Sequence, residues 1–282
     1  MAEPLPNVII IGAPKCGTTS LHNYLDAHCS ISMSRLKETD FFLDEGGTWN
    51  KGLDWYASHF DAAAPVRGEG STKYACLPHS DGVARRMKQT VPDAKLIYLV
   101  RDPFERMASH YVHAKAAGVE TRPFSEAARD PHSRYLAASL YATQLEAFLE
   151  YFDRERILVE SQERLLADRA LVLGGIFEFL GVAPEVDRPE YDRLWERSEG
   201  KGRAYQFAWG VAQTMQRHGI HLPDSLRWPA QRVLRSQLFG GGKPIPRPEV
   251  PAEVREELGP QLRDEARRVR AITEMQFEQW SV

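Results

Sequence analysis

The chain of 282 residues has few cysteines, no long apolar run and almost no excess of charge of either sign. Its cysteines, Cys16, Cys29 and Cys76, are odd in number and lack the spacing of metal ligands, which favours a reduced, cytoplasmic protein. The apolar run near the start, residues 8–11, is too short for a signal-peptide core or a membrane-spanning helix. With 36 basic and 39 acidic residues, the net charge of −3 gives no case for nucleic-acid binding or stable membrane insertion.

A strand, a loop and a helix follow one another at the start of the sequence. The β-branched run of residues 8–11 leads into a loop that contains Gly12 and Gly17, and apolar residues then recur at helical spacing from Leu21. The first N–H groups of a helix have no partner inside the helix, and the helix dipole favours negative charge there. The segment therefore predicts a phosphate-binding loop.

The position of the lysine distinguishes this loop from that of nucleotide triphosphatases. Those proteins carry G-x-x-x-x-G-K-[ST], with the lysine directly after the second glycine. Here Gly17 is followed by Thr18 and Thr19, and the only lysine, Lys15, lies inside the loop. The pattern indicates a phosphate loop adapted to chemistry other than ATP or GTP hydrolysis.

Strands alternate with helices along most of the chain. Residues 95–100 form a near-continuous apolar run, which is typical of a strand buried on both faces of a parallel sheet. The pattern predicts an α/β fold with a P-loop-like central parallel sheet flanked by helices, in a single domain with a helical C-terminal part. The other elements expected from the pattern are a short strand and turn at 71–74, a strand at 156–160, helices at 80–90, 103–117, 135–151 and 163–180, and a loop at 119–133.

A second anion site is predicted directly after the strand at 95–100. Asp102, Pro103 and Glu105 have the types and spacing of a helix N-cap, a first helical residue and a capping-box partner. Arg101 lies at the carboxyl end of the strand, and Ser109 returns to the same helix face about two turns later. An arginine and a hydroxyl can bind a phosphate. Two phosphate sites at adjacent strand ends imply a nucleotide phosphorylated at two positions.

Both motifs resemble those of the PAPS-dependent sulfotransferases, which use 3′-phosphoadenosine 5′-phosphosulfate (PAPS). The residues that carry the resemblance are P-K-C-G-T-T-S-L at 14–21 and R-D-P-x-x-R-x-x-S-x-Y at 101–111. The resemblance spans nearly the whole chain. It implies that the first motif holds the 5′-phosphosulfate and the second the 3′-phosphate. Residues 37–42, K-E-T-D-F-F, resemble the segment that supplies a catalytic glutamate in the glycan-type branch.

The resemblance also implies roles for individual residues. Lys15 would neutralise charge on the leaving oxygen, and Glu38 would accept the proton of an acceptor hydroxyl or, less often, amine. Lys37 and Lys73 would contact the substrate, although Lys73 is displaced by three positions from the family's usual lysine. No metal is expected, because the loop lysine and the helix dipole would stabilise the charge. The residues expected at the donor are Pro14, Lys15, Cys16, Gly17, Thr18, Thr19, Ser20, Arg101, Ser109, Lys201, Gly202, Arg203 and Lys243.

Two late basic loops compete for the 3′-phosphate. Lys201-Gly202-Arg203 matches the family signature literally, but the spacing to Trp280 favours Lys243. We expect one sulfotransferase domain over residues 5–282, with a disordered start at 1–4 and a helical insertion at 205–240 that shapes the acceptor site. The acceptor is expected to be a small molecule, lipid or carbohydrate, and its identity and the oligomeric state stay open.

Alternative readings remain at this point. Residues 99–102, L-V-R-D, could imitate a strand that ends in a metal-binding aspartate, as in a kinase or nucleotide triphosphatase, and magnesium dependence would reveal this. A non-catalytic nucleotide-binding protein of the same fold is a second alternative. A histidine base also occurs in the small-molecule branch of the family. The histidines considered for that role are His22, His28, His59, His79 and His110.

Overall fold

A computed structural model of the protein describes residues 4–185, 187–193 and 245–282. Its centre is a parallel sheet of five strands in the order β2-β3-β1-β4-β5, which confirms the expected α/β architecture. The strands are β1 (Val8–Gly12), β2 (Ile31–Met33), β3 (Val66–Gly70), β4 (Lys95–Val100) and β5 (Ile157–Ser161). The helices are α1 (Thr18–Asp26), α2 (Gly52–Ala57), α3 (Val83–Thr90), α4 (Pro103–Ala116), α5 (Phe124–Arg129), α6 (Arg134–Ala137), α7 (Tyr141–Leu149), α8 (Gln162–Ala167), α9 (Arg169–Leu180) and α10 (Ala252–Thr273).

The two central strands explain the apolar runs of the sequence. Every residue of β1 is buried, and so are five of the six residues of β4. The strands pair in parallel, with Ile9 opposite Leu96 and Ile10 opposite Ile97. The chain leaves β1 towards β2 on one side and leaves β4 towards β5 on the other, so the strand order reverses between β1 and β4. Ligands of open α/β sheets bind at such a reversal, beyond the carboxyl ends of the strands.

Of the short strand and turn predicted at 71–74, the turn is confirmed and the strand is wrong. The strand is β3, which ends at Gly70, and residues 71–74 form a turn in which Tyr74 N–H donates to the Ser71 carbonyl at 3.2 Å. The hydroxyls of Ser71 and Tyr74 both donate to the buried Glu69 carboxylate, at 2.8 and 2.9 Å. Satisfying this carboxylate turns the chain away from the sheet.

Two long predicted helices are each divided in the structure. The segment at 135–151 forms α6 and α7, separated by Ser139, whose buried hydroxyl accepts from Arg106 and donates to the Pro103 carbonyl. The segment at 163–180 forms α8 and α9, because Asp168 ends one helix and caps the next by accepting from Leu171 N–H at 3.0 Å. The predicted loop at 119–133 contains the short helix α5.

The C-terminal helix α10 packs across α7. The Glu265 carboxylate accepts from Thr143 N–H at 2.9 Å and from the Thr143 hydroxyl at 2.6 Å. Beyond α10, Trp280 lies against the Tyr141 ring with 5.5 Å between centroids. None of the helices described, α1 to α10, is long and apolar enough to cross a membrane. The predicted donor residues Lys201, Gly202, Arg203 and Lys243, and the expected insertion at 205–240, lie outside the described residues.

Candidate active site

The predicted phosphate loop joins β1 to α1. Gly17 stands at the start of α1 with φ of 89°, a left-handed conformation that favours glycine. No side chain caps this helix start, and its first turn has no acidic residue. Lys15 also has a left-handed backbone, with φ of 70°. The first amides of α1 and the Lys15 ammonium therefore belong to one loop with the chemistry of an anion site.

Gly12, at the end of β1, permits a close approach of two segments. A Cβ atom placed there would lie 3.1 Å from Ala75 Cβ and 3.4 Å from the Thr72 carbonyl oxygen. The Ala75 N–H also donates to the Ile11 carbonyl at 3.0 Å. The turn that carries Thr72 is thus packed against the strand end from which the phosphate loop begins.

Cys16 points into the core below the loop. Its thiol is fully buried, with Sγ 3.9 Å from the Tyr141 hydroxyl. Burial raises the pKa of the thiol to about 12, an effect that outweighs the lowering by Arg106 and Arg101. The Cys16 N–H turns back to the Ala13 carbonyl at 3.3 Å. Cys16 therefore acts in the loop as a neutral packing residue.

The second predicted anion site lies where β4 meets α4. Asp102 caps α4 by accepting from Glu105 N–H at 2.9 Å, and Pro103 is the first helical residue, so the capping prediction is confirmed. Arg101 lies 3.4 Å from the Glu105 carboxylate. Arg247, which the sequence analysis did not single out, bonds to the same carboxylate at 2.9 Å and brings residues 245–250 to this end of the sheet.

Ser109 and Arg101 occupy the elements predicted for them. Arg101 directly follows β4, and Ser109 lies halfway along α4 with a half-buried side chain. The Arg101 side chain is 17% exposed, so it is largely but not fully removed from solvent. A guanidinium and a hydroxyl in these positions are suited to a phosphate at the carboxyl end of β4.

Glu38 lies in a cluster of charged side chains between β2 and β3. Lys37 Nζ is 2.9 Å from Glu38 Oε1, and the Thr72 hydroxyl is 3.5 Å from the same oxygen. Lys73, from the adjacent position, pairs with Asp40. The structure thus brings together three of the residues that the sequence assigned to catalysis and substrate contact, and it adds Asp40 to them.

In the Asp40–Lys73 pair, the carboxyl group of Asp40 is nearly buried. The Asp40 carboxyl group is 14% exposed, and burial raises its pKa despite the Lys73 charge. Burial alone would lower the pKa of Lys73, but the Asp40 and Glu38 carboxylates outweigh it and raise that pKa. Lys73 is therefore a charged member of the Glu38 cluster.

A buried carboxylate, Glu69, fixes the segment that carries Glu38. Four hydroxyl groups donate to it at 2.6 to 2.9 Å, from Thr39, Tyr56, Ser71 and Tyr74. Burial raises the pKa of Glu69, although each of these hydrogen bonds lowers it. Because Thr39 directly follows Glu38, this network sets the position of Glu38.

His110, on α4, contacts the Arg106 side chain that reaches the phosphate loop, and it is neutral. Its Nδ1 is 3.2 Å from Arg106 Nη1, and because arginine can only donate, Nδ1 is the acceptor. Desolvation, followed by repulsion from Arg106 and other cations that include Lys15, holds the pKa of His110 well below its usual range. A ring nitrogen committed to Arg106 leaves Glu38 as the better candidate for the base.

Comparison of the chain with known proteins assigns it to a family. The chain matches the sulfotransferase domain over residues 5–200. It is 30% identical over 223 residues to bifunctional heparan sulfate N-deacetylase/N-sulfotransferase 2 of Bos taurus, an alignment that covers 71% of this chain and 24% of that protein. The chain thus spans about a quarter of the length of the curated relatives it matches.

Solved structures give the same assignment over the whole chain. A sulfotransferase from Alicyclobacillus acidocaldarius shares 25% identity and a TM-score of 0.67, over 98% of this chain and 99% of that one. The sulfotransferase domain of the Synechococcus PCC 7002 olefin synthase, at 15% identity and a TM-score of 0.54, covers 94% of this chain and 96% of that one and has a similar fold. The fold, the paired anion motifs and the domain match define the class as a transferase of sulfuryl groups. The chain belongs to the PAPS-dependent sulfotransferase family.

Proposed function

We propose that this protein transfers the sulfuryl group of PAPS in line to an amine or hydroxyl of a carbohydrate acceptor, with Glu38 as the base. The observation that carries the proposal is the connection between Glu38 and the phosphate loop. Thr72 contacts Glu38 at 3.5 Å, and the same turn packs against Gly12, where the loop begins. The turn that carries Thr72 therefore links the proposed proton acceptor to the proposed anion site.

The residues of the loop suit the donor. The uncapped start of α1 and Lys15 favour the 5′-phosphosulfate, while Arg101 and Ser109 favour the 3′-phosphate. When bound, PAPS supplies an activated sulfuryl group on a phosphate leaving group. Lys243, four residues before the anchored Arg247, is proposed as a further ligand of the 3′-phosphate, with residues 201–203 as the alternative.

In the proposed mechanism, Glu38 accepts the proton, and the phosphate loop stabilises the negative charge of the leaving group. As the acceptor nitrogen or oxygen bonds to sulfur, its proton passes to the Glu38 carboxylate, and the bond from sulfur to the phosphate oxygen breaks. Lys15 and the first amides of α1 stabilise the negative charge that forms on this oxygen. Lys37 and Lys73 orient Glu38 and the acceptor. Catalysis of this kind rests on positioning and charge, as in phosphoryl transfer, and we propose that it needs no metal.

The class of acceptor follows from the relatives. The related N-sulfotransferases are named for heparan sulfate, so a glucosaminyl oligosaccharide with free amines is the first acceptor to test. Transfer to this oligosaccharide and not to its N-acetylated form would establish the amine as the acceptor group. Equal transfer to both would assign the reaction to a hydroxyl.

Donor binding can be tested without knowing the acceptor. A ligand that binds only the folded state raises the unfolding midpoint by mass action. We expect 3′-phosphoadenosine 5′-phosphate (PAP) to raise it equally with magnesium and with EDTA, and ATP and GTP to have little effect. Lys15→Ala should abolish most of the shift, whereas Lys88→Ala, on α3 and contacting Pro92, should not. A shift that appears only with ATP or GTP and magnesium would contradict the proposal.

A further inference from the structure

A fully buried arginine lies directly behind the phosphate loop. Arg106, in the first turns of α4, is 0% exposed. Its Nη1 lies 3.4 Å from the Pro14 carbonyl oxygen of the loop. Its Nε donates to the Ser139 hydroxyl at 2.6 Å, and its Nη2 donates to the Tyr135 carbonyl. The guanidinium thus ties the loop to α4 and to the segment around α6.

Among the described residues, all groups that bond to this guanidinium are neutral. They are two carbonyls, one hydroxyl and the Nδ1 atom of the uncharged His110. Within residues 4–185, 187–193 and 245–282, no carboxylate forms an ion pair with Arg106. Arginine keeps its proton in proteins, so the charge persists. A buried charge without a counter-charge is costly, and it is rarely retained for stability alone.

The surroundings of Arg106 add to the positive charge. Arg106 lies near the start of α4, where the helix dipole is also positive. Arg106, Lys15 and Arg134 all disfavour the protonated form of His110 and so lower its pKa. The region behind and beside the loop is therefore electrostatically suited to an anion on the other side of it.

We infer that Arg106 is a positioning residue for the donor, whose buried charge stabilises the 5′-phosphate end through the loop it holds. This inference rests on the proposed function, because it requires the loop of residues 13–17 to bind the 5′-phosphosulfate. Arg106 reaches the loop from the protein side through Pro14, so it fixes the loop and supplies charge. The residue assigned to the 3′-phosphate is Arg101, five positions earlier, whose side chain is 17% exposed.

Binding of two nucleotides, PAP and AMP, distinguishes the role proposed for Arg106 from that proposed for Arg101. PAP carries both phosphates, and AMP carries only the 5′-phosphate. Arg106→Gln, which removes the charge and keeps one donor, should weaken PAP and AMP binding by the same factor, about ten- to a hundredfold. Arg101→Gln should weaken PAP and leave AMP unchanged. Arg106→Lys keeps the positive charge but lacks the planar guanidinium with its several N–H donors, so its affinity should lie between those of Arg106→Gln and wild type.

Stability is the second readout. Removal of a charge without a counter-charge relieves its desolvation, so the unfolding midpoint of ligand-free Arg106→Gln should stay within about 4 °C of wild type. Arg267→Gln, at a side chain 76% exposed on α10, is the matched control and should change neither affinity nor midpoint.

The outcomes are distinct. Arg106→Gln that folds and binds both nucleotides like wild type would overturn the inference and leave the proposed function standing. So would a loss of PAP binding without loss of AMP binding, or a variant that no longer folds, since the residue would then serve the 3′-phosphate or the fold. Wild-type protein that binds neither nucleotide would overturn the proposed function and the inference together.

Discussion

Replacement of Glu38 by glutamine tests the catalytic assignment most directly. Glu38 Oε1 lies 2.9 Å from Lys37 Nζ and 3.5 Å from the Thr72 hydroxyl. Glutamine keeps an oxygen that can accept both contacts, but it has no charge and cannot take a proton at neutral pH. The exchange therefore removes the chemistry and preserves most of the local structure.

The expected loss of rate in Glu38→Gln follows from the role of Glu38 as a general base. A positioned general base contributes roughly 10²–10⁴-fold to the rate. At about 1.4 kcal/mol for each tenfold change, the barrier should rise by about 3–5 kcal/mol. Glu38 is not a proposed ligand of PAP, which is assigned to the loop at residues 13–17 and the start of α4. We therefore expect kcat to fall and the Kd for PAP not to change.

The assay is sulfuryl transfer from PAPS to a glucosaminyl oligosaccharide, with PAP binding measured by calorimetry. Glu150→Gln, an exposed glutamate after α7, is the matched control and should retain full activity. A Glu38→Gln variant whose kcat stays within threefold of wild type would refute the assignment of the base. A weakened Kd for PAP with unchanged kcat would move Glu38 from the acceptor side of the site to the donor side.

Two further predictions concern stability. On α9, Leu173 is fully buried and Leu171 is 62% exposed. Leu173→Ala should therefore lower the free energy of unfolding, measured in urea, by about 2–5 kcal/mol. Leu171→Ala should lower it by less than about 0.5 kcal/mol. Equal effects would contradict the described packing. Hydrogen bonds from Arg122, opposed in part by burial, lower the pKa of Glu120 from 4.5 to about 2. Because the folded-state pKa is the lower one, Glu120→Gln should be less stable than wild type at pH 7, and the difference should shrink as the pH falls from 4.5 to 2. A difference independent of pH would show that the carboxylate charge does not contribute.

The donor side of the site was largely readable from the sequence. The strand at 95–100 and the cap at Asp102 were predicted where they occur, because a buried parallel strand leaves an apolar run and a capped helix start has a fixed order of residue types. The glycine in left-handed conformation at Gly17 likewise lies where the loop pattern places it. These are local features, and local sequence is sufficient for them.

The acceptor side depended on contacts distant in sequence. Glu69 binds Thr39, which is 30 positions away, and Lys73 binds Asp40 at a separation of 33. Neither pairing leaves a periodic trace in the sequence. The wrong strand at 71–74 and the missed break at Ser139 have the same origin, since buried charges at Glu69 and Arg106 draw nearby hydroxyls out of regular structure.

The sequence by itself determined the fold class, the two anion motifs and the family resemblance, because each depends on neighbouring residues and on the propensity of short segments. Only the tertiary structure decided which charges are paired and which are not. Glu69 is satisfied by four hydroxyls, Lys73 by Asp40, and Arg106, within the part of the chain that the structure describes, by neutral groups. The physical reason is that the energy of a charge depends on its burial and on its partners, and both are set by segments that meet only when the sheet has formed.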